Sequence, residues 1–214
     1  EKSLACVHCG LCLSSCPTYL ETGNENDSPR GRIYLMRAIQ SERLALDNAT
    51  VRHIDLCLGC RACENACPSG VEYGHLLEHT RNFIESTYRR SFIQTLLRRI
   101  AIEKVFPFPW RLKLVLFFGR VARSRAIRWI LPSFAKESLA LLPDKSTSRK
   151  PQRNSPAKGN KKGNVGFIDG CVMQVMFGDA NENSITLLNQ AGWAVTSPKE
   201  QNCCGALYAH SGQL

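Results

Sequence analysis

The chain has 214 residues, 43% of them apolar, and a formal net charge of +10 at pH 7 from 28 Lys and Arg against 18 Asp and Glu. That length holds one or two domains, and that apolar content is enough for a real core. Eleven cysteines make an odd number for a disulfide framework, and no apolar signal segment opens the chain, so a reducing cytoplasm is the expected compartment.

Residues 1–80 are expected to form one domain around two cysteine runs. The first is Cys6, Cys9, Cys12 and Cys16; the second is Cys57, Cys60, Cys63 and Cys67; each is followed at once by proline, Pro17 and Pro68. Both read C-x2-C-x2-C-x3-C-P, the bacterial ferredoxin pattern that wraps a 4Fe-4S cube. Three thiolates two residues apart close around one cube only if the chain curls tightly, which Gly10 and Gly59 assist. The fourth cysteine lies too far along its own loop, and in two-cluster ferredoxins it turns away to hold the other cube. The proline after it lacks an N–H and stops the chain from continuing as helix. The expected ligand sets are therefore Cys6, Cys9, Cys12 and Cys67 for one 4Fe-4S cluster, and Cys57, Cys60, Cys63 and Cys16 for the second. Structural zinc usually takes its four ligands as two separated pairs, so a fourfold run with proline, occurring twice, fits it poorly.

Between the runs, Asp27-Ser28-Pro29-Arg30-Gly31-Arg32 reads as a helix start, with Ser28 as cap and Pro29 in the first turn. Leu35, Ala38, Ile39 and Leu46 fall on one face of the helix that follows. Arg30 and Arg32 either offset the charge of the clusters, bind a partner, or are ordinary solvated arginines beside a cap. His8, His53, His75 and His79 lie in or near this domain. With eight cysteines already satisfying two cubes, packing and hydrogen bonding are the work expected of them.

Residues 81–143 form a basic amphipathic helical segment. Positions 81–128 hold 12 of the 28 basic residues and only two of the 18 acids, which leaves 16 of each sign for the rest of the chain. The apolar residues cluster with helical spacing, Phe92, Ile93, Leu96, Leu97 and Ile100, then Leu112, Val115, Leu116, Val121 and Ile127, interrupted by Phe106-Pro107-Phe108-Pro109. The longest unbroken apolar run, Leu114 to Phe118, is far too short to cross a bilayer. Such helices lie on an anionic membrane, dock on an acidic partner, or present a solvated face over a core. Trp110 and Trp129 are the one hint of interfacial anchoring. No nucleic-acid recognition motif or aromatic stacking platform accompanies the charge, so no nucleic-acid partner is expected.

Residues 144–163 are rich in Lys, Arg, Ser, Asn, Pro and Gly and read as a flexible linker. From residue 164 to 214 an α/β unit begins. Val165–Ile168 is expected as a strand, Ile185, Leu187, Leu188 and Ala191 mark a helix, and Trp193–Thr196 returns as a strand, a right-handed βαβ start of a parallel sheet. Cys171 follows the first strand, and Cys203-Cys204-Gly205 follows the second, at the ends where open α/β sheets place ligands. Adjacent cysteines do not easily bridge each other, so metal binding or redox chemistry is the reading, against buried small hydrophobes as the plain alternative. The sequence opens at Glu1 and stops at Leu214 inside this unit, so a fragment of a longer protein is expected.

The stretch Cys6-Val7-His8-Cys9-Gly10-Leu11-Cys12 through Cys16-Pro17-Thr18-Tyr19, then Ser28-Pro29-Arg30-Gly31-Arg32-Ile33-Tyr34-Leu35 and Cys57-Leu58-Gly59-Cys60-Arg61-Ala62-Cys63-Glu64, resembles the iron-sulfur subunits of glycolate oxidase (glycolate dehydrogenase). Cys171, followed by 31 residues and Cys203-Cys204-Gly205, is similar to the cysteine-rich domains of heterodisulfide reductase-like proteins. Those proteins carry the motif twice and close each copy with a further Cys-x-x-Cys; here the first copy is only begun. The resemblance implies a mostly helical α+β chain: a two-cluster ferredoxin-type (alpha-helical ferredoxin) domain, the basic helical segment, and the start of an α/β Cys-Cys-Gly domain. It also implies two 4Fe-4S clusters and, in the full-length protein, a further cluster or metal at Cys171, Cys203 and Cys204.

By the same resemblance, a companion FAD subunit takes two electrons from glycolate or a similar 2-hydroxy acid. This chain, with no catalytic residue of its own, passes them singly toward a membrane quinone. It would be cytoplasmic, peripheral on the cytoplasmic face of the inner membrane. Gly163-Asn164-Val165-Gly166 precedes a strand rather than following one and so fails the dinucleotide-binding context. The rival resemblances are the iron-sulfur subunit of an anaerobic glycerol-3-phosphate dehydrogenase and a heterodisulfide reductase-like complex. A scaffold protein with structural clusters is the alternative from another class.

Overall fold

The helix start expected at Ser28 forms as the residues dictate. In the computed structural model, which describes residues 2–124, 132–140, 142, 153–199, 201 and 203–213, Ser28 Oγ accepts the Gly31 N–H at 3.0 Å. Pro29 opens helix α2, Pro29–Gln40. The described residues are mostly helical with one small sheet. They divide into two units, Glu1–Ser91 with Gly205–Leu214, and Phe92–Cys204.

In the first unit, a short α1 (Pro17–Thr22) precedes α2, and α3 (Asn48–Asp55), α4 (Ala62–Asn65) and α5 (Tyr73–Thr87) follow it. Asp47 caps α3 by accepting the Thr50 N–H at 2.8 Å, and that bond holds its carboxyl below the usual range. Ile33 and Met36 from α2, Val51 and Ile54 from α3, and Leu77 and Ile84 from α5 meet in one core. Each such side chain contributes about 1.5–3 kcal/mol by leaving water. Arg90 then ties the far end of α5 back to α3, pairing with Asp55 at 2.6 Å and Glu85 at 2.9 Å. The expected domain boundary at residue 80 falls inside α5.

Residues 205–213 pack on α5. Their short helix, Ala206–His210, is followed by a turn in which the Gly212 carbonyl accepts from Asn82 Nδ2 at 2.9 Å. The His210 carbonyl accepts from Arg81 at 2.7 Å.

The second unit begins with α6 (Phe92–Arg99), a π turn over Ile100–Val105, and α7 (Pro109–Ala122), broken where Phe106–Pro109 was expected to break it. Leu112 and Leu116 of α7 are buried with Val175. Phe92, Ile93, Leu97, Phe117 and Phe118 are exposed, so the helical clusters read from sequence are only partly core. Trp110 is exposed too, with the Arg111 guanidinium 5.1 Å from its ring; Ile127 and Trp129 lie outside the described residues. No helix among the described residues is long and apolar enough to cross a membrane.

The sheet of this unit has the order β1-β3-β2, with β1 at Asn154–Ser155, β2 at Gly163–Gly166 and β3 at Trp193–Thr196. β2 runs parallel to β3 with Val165 opposite Val195, as the strand, helix, strand reading requires, and the crossover helix is Gly178–Gln190. β2 starts two residues before its expected position, with Gly163 opposite Trp193, whose ring would lie 2.8 Å from a Cβ there. Ile168, expected within the strand, is exposed.

The expected linker is described only from Arg153 onward. There Asn154–Ser155 pairs antiparallel with β3, and the Ser155 hydroxyl accepts from Asn189.

Gly31 has no room for a side chain, since a Cβ there would sit 1.9 Å from the Glu25 carbonyl oxygen. Gly31→Ala is expected to cost about 1–3 kcal/mol by overpacking. Urea denaturation followed by circular dichroism checks this; an unchanged midpoint would contradict the close approach.

Candidate metal centre

The two cysteine loops share one backbone device. In the first, the residues flanking Cys9 are left-handed, His8 at φ 56° and Gly10 at φ 85°; in the second, those flanking Cys60 are left-handed too, Gly59 at φ 65° and Arg61 at φ 57°. Alternating the hand of the backbone curls a chain into a concave nest of N–H groups, a shape that suits anionic groups including iron-sulfur clusters. Two glycines take this conformation freely, whereas His8 and Arg61 are strained in it by about 1–2 kcal/mol each.

Each strained residue is tied down. The His8 carbonyl accepts from Arg30 at 3.1 Å, its Nε2 meets Arg37 Nη1 at 3.1 Å, and its ring stands edge-on to Tyr34. Arg61 pairs with Glu78 at 2.8 Å. His8 and His53 do the hydrogen bonding expected of them, His53 Nδ1 lying 2.8 Å from Asp27 Oδ1.

The curl leaves Cys9 and Cys60 exposed, while Cys16 and Cys63 are buried and Cys6, Cys12, Cys57 and Cys67 are half-buried. Cys6, Cys12, Cys57 and Cys67 rest against the same core that contains Cys63. Burial pushes the Cys63 thiol up to about 12, helped by the neighbouring Cys57, Cys12, Cys16 and Cys60. Burial likewise raises Cys12, and the nearby Cys6 and Cys67 add to it. Thus Cys16 from the first run lies with Cys57, Cys60 and Cys63, and Cys12 lies near Cys6 and Cys67 but also near Cys63. The former group lines a cleft with about 300 Å³ of empty space, part of it open to solvent, together with Arg32 and Tyr73.

Two residues at this cleft, Thr18 and Tyr73, and Asp27 behind Arg32 have roles that escaped the sequence reading. Thr18 Oγ1 lies 3.2 Å from Cys16 Sγ, and the Tyr73 hydroxyl donates to Cys57 Sγ at 3.6 Å. Asp27, buried, faces both Arg32 and His53. A Thr two places after the crossing cysteine and a Tyr opening the next helix were visible, but nothing local marked them. Arg32, left open between three roles, is fully buried, and its Nη2 has no hydrogen-bond partner.

These residues fit a 4Fe-4S group: the donors are all soft thiols, they ring a cleft rather than one point, and a buried guanidinium there lacks an acceptor. Among the described residues no group of three His, Cys, Asp or Glu side chains converges tightly enough to grip a single metal ion. When bound, such a group supplies one-electron redox chemistry; the chain supplies thiolates, burial and hydrogen bonds. In the second unit Cys171 is buried, and its burial and its hydrogen bond with Cys203 push its thiol up, while Cys204 is exposed.

Residues 2–71 match the 4Fe-4S dicluster domain family, and residues 165–214 match the cysteine-rich domain family. The chain is therefore an iron-sulfur protein in which a dicluster domain holding 4Fe-4S clusters precedes a cysteine-rich domain. It is homologous to glycolate oxidase iron-sulfur subunits. It is 41% identical to the probable glycolate oxidase iron-sulfur subunit of Bacillus subtilis, over 98% of this chain and 50% of that protein. It is 34% identical to the glycolate oxidase iron-sulfur subunit of Escherichia coli, over 96% of this chain and 47% of that one. A component of the ferredoxin:CoB-CoM heterodisulfide reductase of Methanosarcina mazei is 31% identical, over 46% of this chain and 54% of that protein. The chain spans about half the length of the curated relatives it matches first. No solved structure matches it.

Burial sets an order of reactivity, because alkylation follows exposure and thiolate content. On the folded, iron-free chain at pH 8, iodoacetamide is expected to modify Cys9 and Cys60 first and Cys63 last, read by peptide mass spectrometry. Early modification of Cys63 would contradict its burial. An unfolded Cys63 ionises near 9.0 and the folded one near 12. The fold therefore keeps this contribution below pH 9 and loses it as pH rises toward 12.

Proposed function

We propose that this chain is the electron-transfer subunit of a flavin-dependent 2-hydroxy-acid oxidoreductase of the glycolate oxidase kind. In this reading an FAD subunit oxidises glycolate or a similar substrate, and two 4Fe-4S clusters relay single electrons toward a membrane quinone. Cys6, Cys9, Cys12 and Cys67 hold one cluster, and Cys57, Cys60, Cys63 and Cys16 hold the other. The observation that carries the reading is the gathering of Cys16 with Cys57, Cys60 and Cys63 around one cleft, on the same core that seats Cys6, Cys12 and Cys67. Two sites sharing one small core suit electron exchange between them.

The similarity to glycolate oxidase iron-sulfur subunits supports the substrate class. Exposed Phe92, Ile93, Leu97, Phe117 and Phe118 lie among Arg99, Lys104 and Lys113. Such a surface favours being covered in the working complex, by a companion subunit or an anionic membrane face on the cytoplasmic side. Cys171, Cys203 and Cys204 are proposed to join a further cluster in the full-length protein.

Cys16→Ala tests the crossed assignment. EPR of the dithionite-reduced protein is expected to lose the signal of the cluster at Cys57, Cys60 and Cys63 while retaining the other; loss of the signal at Cys6, Cys9 and Cys12 instead would refute it. In the isolated full-length complex, glycolate is expected to bleach the iron-sulfur absorption near the flavin's own rate of reduction. Clusters that stay oxidised while the flavin is reduced would overturn the relay.

A further inference from the structure

Arg32 is a charge buried without full pairing. Its side chain is 1% exposed, and the nearest carboxylate, Asp27, lies 3.6 Å from Nη2, beyond hydrogen-bond range. The Asp27 Oδ1 atom is instead engaged by His53 Nδ1 at 2.8 Å. Nε donates to the His53 carbonyl at 2.7 Å and Nη1 to Thr18 Oγ1 at 3.0 Å, which leaves Nη2 with no acceptor. A guanidinium taken from water needs its protons satisfied, so a buried arginine in this state points to an acceptor supplied by something else.

The place indicates the acceptor. Arg32 lines the cleft with Cys16, Cys57, Cys60 and Cys63, and its Nη1 is 4.0 Å from Cys16 Sγ. Cys16 is the thiol that comes from the other run, and Thr18, bonded to Arg32, also lies beside it. The cations near the first cysteine loop differ. Arg30 is partly exposed and paired with Glu25 at 2.6 Å, so solvent and an ion partner weaken its field. The desolvated guanidinium stands at the second site.

We infer that Arg32 is a positioning and potential-setting residue for the site formed by Cys16, Cys57, Cys60 and Cys63. Its buried guanidinium donates to sulfur at that site and raises the site's reduction potential. This rests on the crossed ligand reading. One electron entering the site adds one negative charge and makes or breaks no covalent bond. A fixed cation beside it favours the reduced form, and hydrogen bonds to sulfur act in the same direction. Asp27 opposes the effect, since its negative charge sits against the same guanidinium.

The two residues therefore predict opposite shifts. In EPR-monitored titrations with dithionite and mediators, Arg32→Gln is expected to make reduction of this site at least tenfold less favourable, a shift of about 59 mV to lower potential for one electron. Arg32→Lys should recover part of it, and Asp27→Asn, which keeps an oxygen for His53, should shift the same site upward. The signal of the other site should hold its potential in all three. If Arg32→Gln retains no cluster, the direction of the Asp27→Asn shift decides.

Shifts of the same sign in Arg32→Gln and Asp27→Asn, no shift, or equal shifts at both sites would overturn the role and leave Arg32 as scaffold alone. Failure of the ligand reading is separable. It would show as Cys16→Ala leaving both EPR signals intact, whatever Arg32 does.

Discussion

Each cysteine run curls sharply around its central thiol, and that curl organises the N-terminal unit. The bend is set by left-handed residues on both sides of the central cysteine, His8 and Gly10 in one loop, Gly59 and Arg61 in the other. In the proposed crossed arrangement, Cys16 and Cys67 leave their own loops to serve the other site. In that arrangement the packed helices would bring each loop to the other's remaining cysteine. α2 and α3 meet α5 through Ile33, Met36, Val51, Ile54, Leu77 and Ile84, and the thiols rest against that shared core.

Burial also sets the charge state of the thiols. Desolvation pushes the Cys12 and Cys63 thiols toward the neutral form, and neighbouring sulfurs push them further. A bound iron-sulfur cluster would supply the positive charge that reverses this preference, since a coordinating thiol is deprotonated outright. The buried pair of Arg32 and Asp27 belongs to the same balance of charge in a dry place. Holding the loops from outside are ordinary contacts, Arg81 to the Cys57 carbonyl at 2.6 Å and Glu64 to the Gly74 N–H at 2.6 Å, which couple the second loop to the start and middle of α5.

What the sequence made legible was local. The cysteine spacing, the Ser28 cap with Pro29, the break at Phe106–Pro109 and the strand Trp193–Thr196 each depend on residues within a few positions of one another. The rest depends on distant partners. Arg32 is buried because Thr18, Asp27 and His53 converge on it, from opposite sides in sequence, and nothing in Pro-Arg-Gly-Arg announces that. The left-handed turns at His8 and Arg61 were hidden because their support comes from distant partners, Arg30, Arg37 and Glu78. Strand β1 lay inside a segment whose composition reads as linker, and it is a strand only because β3 offers an edge to pair with.

The proposed electron transfer requires two inorganic cubes seated in the N-terminal unit, and their stoichiometry is the most direct measure of it. Chemical assay of anaerobically prepared protein should find at least about eight iron and eight acid-labile sulfide atoms per chain, four of each for every cube. Amounts well below that, or zinc in place of iron, would contradict it.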